Sequence, residues 1–362
     1  MIKIGIVGVG LYGLNHIIAL KQRELYQKDV KLVGFAEIDP VKLKEIEAAY
    51  GVPGFADYRE MIMKTKLDAI TVVTPDHLHY AIVMDCLKAG IPVLVEKPLS
   101  TSLEEAKGMA KAAREKGVLL QVDFHKRFDP YHIDLKLRIQ EGSLGQVQYG
   151  YCWMEDMLKV GTDMIGKKSW GDQGSPGWFL APHMVDLSYW LMDYPQPMNV
   201  RAHGFKGKLS SMGIDIYDSI KTEVEFANGV VITYDTCVVL PNSHESIVRQ
   251  GVKLVGTEGF MEVNSQYRGA RGCSSLKGME TPNLGMMYRD FDKSGRMIRK
   301  GYFSESICDF IENLTYLHEG HSLADLEGRY ASGEQGVEIT KVGVAIHESI
   351  RSNGKVIDIS AW

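Results

Sequence analysis

Cysteine is scarce and scattered: five in 362 residues (Cys86, Cys152, Cys237, Cys273 and Cys308), with no C-x-x-C pair. That spacing offers no disulfide framework and no cysteine-based metal site. It suits a reducing compartment, so a cytoplasmic location is expected. No apolar run approaches the length of a bilayer span. The chain enters β-branched apolar sequence at Ile2, so no signal peptide is expected ahead of the fold. An excess of basic charge is missing too: at a net charge of −5 the chain has neither the footprint of a nucleic-acid binder nor a polybasic membrane face. Internal repeats and low-complexity tracts are lacking. What remains is a globular composition, 45% apolar and 24% charged, in a chain long enough for two domains with ample core.

The first third alternates buried strands with amphipathic helices. Ile2 to Val7 is β-branched and apolar, and it runs into Gly8-Val9-Gly10-Leu11-Tyr12-Gly13, a G-x-G-x-x-G pattern. A helical stripe follows, with Leu14, Ile17, Ile18 and Leu25 on one side and Lys21, Gln22 and Glu24 on the other. Bare glycine spacing is weak evidence; between a strand and a helix it becomes a dinucleotide signature. Gly8 permits the tight turn, Gly10 lets a pyrophosphate approach the backbone, and Gly13 allows close helix–strand packing, with Leu11 and Tyr12 completing the loop. Glu37, after the strand Val30 to Ala36, is placed to accept hydrogen bonds from ribose hydroxyls and to repel a 2′-phosphate. NAD is therefore favoured over NADP, although Lys42 and Lys44 soften that discrimination. Asp39-Pro40 reads as a helix cap.

Leu67 to Val73 is the next strand, ending in Thr74-Pro75-Asp76-His77-Leu78-His79. A helix from Tyr80 to Ala89 and a Gly90 stop follow. Ile91 to Val95 then delivers Glu96-Lys97-Pro98 at a strand end, where open α/β sheets bind ligands. Lys97 is either a functional ammonium or an ordinary solvated strand end. His77 and His79 lack a third ligand nearby, so no metal is expected, and capping or contact with a cofactor edge is the better reading. Leu103 to Lys116 is a further helix and Val118 to Asp123 a further strand, which makes a doubly wound parallel sheet.

The ordered set of G-x-G-x-x-G, Thr74-Pro75 with His79, and Glu96-Lys97-Pro98 resembles the Gfo/Idh/MocA family of NAD(P)-dependent oxidoreductases. The resemblance spans nearly the whole chain and is weakest from 264 to 300. It implies an α/β N-terminal Rossmann domain over residues 1–123. It also implies an α+β C-terminal domain over 124–362, for substrate binding and oligomerisation, with a large, open, mostly antiparallel sheet. In some relatives the bond matching Lys97–Pro98 is cis. Phe124-His125-Lys126-Arg127-Phe128-Asp129-Pro130 resembles the family's crossover between domains.

Beyond that crossover, Tyr131 to Gly145 reads as a helix ending in Glu141-Gly142 and a Leu144-Gly145 turn, and the pattern then changes to alternation. Residues 221–227 and 230–239 flank Asn228-Gly229, a type I′ hairpin signal. Residues 252–255 and 260–263 flank a second turn over Gly256 to Gly259. An open sheet face commonly becomes a subunit interface, so a homo-oligomer is expected. The stretches 269–278 and 290–301 read as long loops. Arg268, Arg271, Arg289, Arg296 and Arg299 either clamp an anion or are scattered solvated charges. Helices over 302–318 and 335–352 and a strand over 356–359 close the chain.

The resemblance implies an aspartate four residues before a histidine, then H-x-x-D entering a helix. His183 and Asp186 match the second part, but Phe179 stands at the acidic position. Asp186 either supports His183 from the same helix face or caps the helix. Asp156, Asp163 and Asp172 are further acidic candidates. Oxidising a secondary alcohol requires a base for the hydroxyl proton and positive charge near its oxygen. An imidazole with a pKa of about 6.5 suits the first task and an ammonium the second. His183 and Lys97 are the expected catalytic pair. Glu96 is a cofactor ligand or a partner for Lys97, and His125 and Arg127 reach substrate hydroxyls or stay structural. Trp153, Trp170 and Trp178 are candidate walls for a sugar ring or simple packing.

The expected function is oxidation of a sugar, cyclitol or glycoside hydroxyl with NAD. The alternatives are a redox-assisted glycosidase or lyase of the same family, and a sensor that binds ligand without turnover.

Overall fold

The computed structural model describes residues 1–166, 175–276 and 278–362. The chain forms two compact units, Met1–His125 with Met287–Val337, and Lys126–Met286 with Glu338–Trp362.

In the first unit, β1 (Ile2–Val7), α1 (Gly13–Tyr26), β2 (Val30–Ala36), α2 (Pro40–Tyr50), β3 (Gly54–Phe55) and α3 (Tyr58–Lys64) build one half of the sheet. β4 (Ala69–Val72), α4 (His79–Lys88), β5 (Val93–Val95), α5 (Leu103–Lys116) and β6 (Leu120–Val122) build the other. All pairings are parallel, in the order β3-β2-β1-β4-β5-β6. Strand order reverses between β1 and β4, the switch point where such sheets bind ligands. β4, β5 and β6 are buried on both faces, which explains their mostly apolar sequence; the exceptions are Thr71 and Gln121, and Gln121 pairs with Asp309 and Asn313.

The second unit opens with α6 (Pro130–Gln140), whose Asp129 cap accepts from the Tyr131 amide. The helix ends at the expected Glu141-Gly142, where Gly142 turns left-handed with φ 83°, and Gly145 of the following turn is left-handed too, at φ 63°. β7 (Val147–Met157) leads through a π-helical turn, Val160–Gly166, towards α7 (Pro176–Phe179) and α8 (Ala181–Leu191). β8 (Pro197–Phe205), β9 (Ser219–Phe226), β10 (Val231–Leu240), β11 (Val248–Gly256) and β12 (Gly259–Asn264) follow. The turn after β9 is not type I′: Gly229 has φ 79°, but Asn228 is not among the positive-φ residues that type I′ requires. Asn228 instead accepts from the Val230 amide through its side chain.

The stretches expected to be long loops contain two small hairpins. One pairs β13 (Gly272–Ser274) with β14 (Gly278–Glu280) and the other pairs β15 (Tyr288–Phe291) with β16 (Met297–Lys300). In the second hairpin Asp292 accepts from the Ser294 and Arg296 amides, and Gly295 supplies the left-handed residue. The chain then rejoins the first unit through α9 (Tyr302–His318), whose Ile307, Phe310, Ile311 and Leu314 enter the core formed by β1, α1 and β2. α10 (Gly333–Arg351) and β17 (Ile357–Asp358) complete the chain.

The second unit's sheet runs β12-β11-β7-β10-β9-β8-β17. It is antiparallel except where β10 meets β7. One face is covered by helices: Tyr234 of β10 shares a 2.6 Å hydrogen bond with Ser188 of α8 and stands in register with Cys152. The other face carries Tyr149, Tyr151, Trp153 and Glu155, by the alternation of β7.

Candidate cofactor and substrate sites

The glycine-rich loop connects β1 to α1 with the expected division of labour. A Cβ on Gly8, at φ +90°, would lie 2.5 Å from the Val73 carbonyl oxygen, and one on Gly13 would lie 2.3 Å from that of Gly8. Gly10 is different: a Cβ there would meet nothing within 4 Å, which leaves its backbone approachable. No side chain caps α1 and its first turn carries no acid, so its positive end is uncompensated. Glu37 bridges to this loop, accepting from the Val9 amide at 3.2 Å and the Asp39 amide at 3.0 Å. Leu11 is exposed at the loop's tip, while the Tyr12 hydroxyl shares a 2.9 Å hydrogen bond with His125 Nδ1.

His79 is fully buried, with Nδ1 3.0 Å from the Pro98 carbonyl and Nε2 3.0 Å from the Thr74 carbonyl. Burial lowers its pKa, so the ring is neutral and donates to one carbonyl at a time. It ties the strand end carrying Thr74-Pro75 to the one carrying Glu96-Lys97-Pro98. Thr74 Oγ1 is buried without a hydrogen-bond partner among the described residues. Lys97 is half-buried just beyond β5, and its bond to Pro98 is cis. His125 meets Tyr12 of the glycine-rich loop and is stacked on Tyr302 at 5.3 Å and edge-on to Phe303.

In the second unit His183 sits in the first turn of α8 and is almost fully buried. Asp186, one turn on, gives both carboxylate oxygens to Arg127, at 3.0 Å from Nε and 2.5 Å from Nη2. This bidentate pair is buried on both sides, and Tyr194 adds a hydroxyl contact and a ring face to the guanidinium. Burial pushes the Asp186 carboxyl up, against the pull of Arg127. Arg127 thereby ties α8 to the segment that precedes α6.

Trp178 stacks on His347 of α10 at 4.7 Å and lies against Gly343, so it is packing within the unit. Trp153 is 4% exposed and stacked on Tyr151. Its register with Asp235, beside the Tyr234–Cys152 pair, puts it on the sheet face opposite α8, apart from His183. Phe179 ends α7. Asp156 is buried on the helix-covered face and Asp163 lies in the π-helical turn, whereas Trp170 and Asp172 fall outside the described residues. Arg268, read as solvated, is buried against Asp129 at 2.6 Å.

A family model described as an oxidoreductase family with an NAD-binding Rossmann fold matches residues 2–124, and the Gfo/Idh/MocA C-terminal domain matches 132–262. The chain belongs to the Gfo/Idh/MocA family. It is 27% identical over 267 residues to an inositol 2-dehydrogenase of Rubrobacter xylanophilus, covering 72% of this chain and 71% of that protein. It is equally 27% identical to a scyllo-inositol 2-dehydrogenase (NAD(+)) of Bacillus subtilis, with 73% and 74% covered. Among solved structures, scyllo-inositol dehydrogenase from Lactobacillus casei with bound NAD(H) and scyllo-inositol superposes with TM-score 0.77, 18% identity and full coverage of both chains. GenD2 from gentamicin A biosynthesis, in complex with NAD, gives TM-score 0.79 at 21% identity, covering 99% and 97%. At these identities the structural likeness is one of fold.

As a Gfo/Idh/MocA oxidoreductase, the protein has a first unit whose features fit NAD: an open Gly10, an uncapped α1 and a carboxylate at the end of β2. Sequence reasoning missed one group there. His16 of α1 lies against Glu96 and Asp123, and the three offer ligand atoms within 4.8 Å of one another. The available signal was a histidine inside the apolar stripe of α1, beside Ile17 and Leu20.

Proposed function

We propose that the protein oxidises a secondary hydroxyl of a sugar, cyclitol or glycoside, with Lys97 and His183 managing the hydroxyl proton and the charge on its oxygen. The observation that carries this reading is Lys97 itself, half-buried at the carboxyl end of β5 in the unit that holds the NAD-binding loop. Relatives named for inositols and for D-glucosides support the substrate class. When bound, NAD accepts the hydride. The Lys97 ammonium opposes negative charge on the substrate oxygen. His183, at the start of α8, takes the proton. Arg127 and Asp186 neutralise each other and hold α8 in place, so they position His183 without meeting substrate. With Phe179 at the acidic position, Lys97 carries more of the charge management than the family pattern implies. We further place the protein in the cytoplasm, in keeping with its five unpaired cysteines, as a homo-oligomer joined through the open sheet face.

The test is NADH formation across a panel of inositols, aldoses and glycosides. A match should appear for one class, and Lys97→Met should cut turnover on the order of a thousandfold while NADH binding persists. Wild-type turnover in that variant would sink the role of Lys97. Glycoside cleavage without net NADH would move the protein to the redox-assisted glycosidases, and binding without turnover of any sugar would make it a sensor.

A further inference from the structure

Two carboxylates converge on one imidazole behind the glycine-rich loop. His16 is fully buried, and its Nε2 lies 3.4 Å from Glu96 Oε1 and 3.5 Å from Asp123 Oδ2. Glu96 follows β5 at 8% exposure and Asp123 follows β6 at 1%. Neither Asp123 oxygen makes a strict hydrogen bond among the described residues, and its 3.5 Å contact with His16 lies at the limit of hydrogen-bond reach. Three further groups close the surroundings: Tyr12 from the loop, His125 beside it, and Tyr302 from α9. Lys97 is the next residue after Glu96.

Charge accounting decides how many protons this triad holds. With both carboxylates ionised, an imidazolium still leaves one uncompensated negative charge in a dry interior, which is costly. A second proton brings the group to zero. Burial, reinforced by Asp123, pushes the Glu96 carboxyl up to about 8. Burial works against the His16 imidazolium, but Asp123 and Glu96 outweigh it and raise His16 to about 9. Burial also works against the Asp123 carboxylate, yet His16 and His125 hold it below its usual range. Glu96 is therefore the first member to release a proton as pH rises.

We propose that His16, Glu96 and Asp123 form a charge regulator for the bound cofactor: neutral with two protons, the triad becomes an anion on releasing one and then favours NAD+ over NADH. The inference rests on reading this unit as the holder of NAD and does not depend on the sugar substrate. NAD+ carries a positive nicotinamide ring and NADH a neutral one. A buried negative charge at the carboxyl ends of β5 and β6 therefore discriminates between them. The step is a simple ionisation: the Glu96 O–H bond breaks, the electron pair stays on the carboxylate and the proton leaves to solvent.

The full-length protein should be titrated with NADH by nicotinamide fluorescence and with NAD+ by calorimetry, from pH 6.5 to 9.5. The ratio of the NADH to the NAD+ dissociation constant should rise about tenfold, the order expected of one unpaired buried charge. Asp123→Asn should hold the ratio flat at the wild type's acidic value, because His16 and Glu96 then neutralise each other. His16→Gln should show the wild type's alkaline ratio already at neutral pH. Circular dichroism checks that each variant is folded; if one is not, the wild-type curve and the other variant decide. A flat wild-type ratio, or a wild-type curve in Asp123→Asn, would overturn the proposal. So would tight stoichiometric Zn2+ binding that Asp123→Asn abolishes. Failure to find a sugar substrate would leave all these readings unchanged, which separates this inference from the assignment of activity.

Discussion

In the first unit two carboxylates share one imidazole, whereas in the second each buried arginine meets a single aspartate: Arg127 with Asp186, and Arg268 with Asp129. The first arrangement is balanced only by extra protons, so its charge changes within the physiological range. The second is balanced by permanently charged guanidinium groups and stays fixed. His132 of α6 sharpens the contrast. Burial pushes it down to about 4, despite Asp129, so it stays neutral where His16 is charged. The cofactor unit is thus built with an adjustable interior charge, and the unit carrying His183 with a rigid one.

The largest effect should come from breaking the fixed pair. Arg127→Met leaves Asp186 buried without its partner and should cost about 3–5 kcal/mol. Hydrogen exchange should report the loss in β7 and β10 of the second unit, while NAD still binds. Arg127→Met with Asp186→Leu should recover most of the loss. A single variant within about 1 kcal/mol of wild type would mean that the pair does not hold α8.

Next in size are opposite pH responses. His132 has a folded-state pKa of about 4 against 6.5 unfolded, so between those values the folded unit binds fewer protons than the unfolded chain. Its contribution, on the order of 3 kcal/mol, is present above pH 6.5 and lost as pH falls towards 4. Glu96 and His16 are raised instead, so the folded first unit binds more protons. That stability is lost as pH rises, from 4.5 to about 8 for Glu96 and from 6.5 to about 9 for His16. Exchange protection, corrected for intrinsic rates, should therefore weaken in β9 and β10 on acidification and in β4 and β5 on alkalinisation. Parallel responses in both units would erase the contrast.

Glycine substitutions separate scaffold from cradle inside the first unit. Gly8→Ala meets the Val73 carbonyl at a positive φ and should cost about 1–3 kcal/mol. Gly10→Ala should leave stability within about 0.5 kcal/mol yet weaken NAD binding at least about tenfold, measured by calorimetry. Equal effects at both positions would contradict the division of roles. The smallest expected change in stability is on the open sheet face, where Phe260, Val255, Tyr149 and Val231 lie side by side across four strands. Phe260 is 64% and Tyr149 56% exposed. Phe260→Ser should alter stability by less than about 0.5 kcal/mol but lower the assembly mass in light scattering. An unchanged mass would remove this row from the proposed interface.

Much of the first unit was legible because its signals are local. A glycine loop between a strand and a helix and apolar runs ending in Thr74-Pro75 or Lys97-Pro98 need no tertiary knowledge, and α9 follows its apolar stripe over Tyr302–His318. What escaped depends on distant partners. His16, Glu96 and Asp123 come from three elements, and nothing in α1 announces the other two. Asp186 reads as a neighbour of His183 on its own helix, until Arg127 arrives from 59 residues away and takes both oxygens. Nothing in the sequence says which face of β7 the helices cover, so Trp153 could be grouped with His183 although it lies on the other side.

The return of the chain through α9 bears on the order in which the protein is made. Ile307, Phe310, Ile311 and Leu314 belong to the same core as Ile4, Ile17 and Phe35, yet they are synthesised after the entire seven-stranded sheet except β17. During translation the nucleotide half waits with that face of α1 uncovered while almost all of its neighbour emerges. Nascent chains stalled before Tyr302 should therefore be protease-sensitive in the first unit, and chains released past Leu314 resistant.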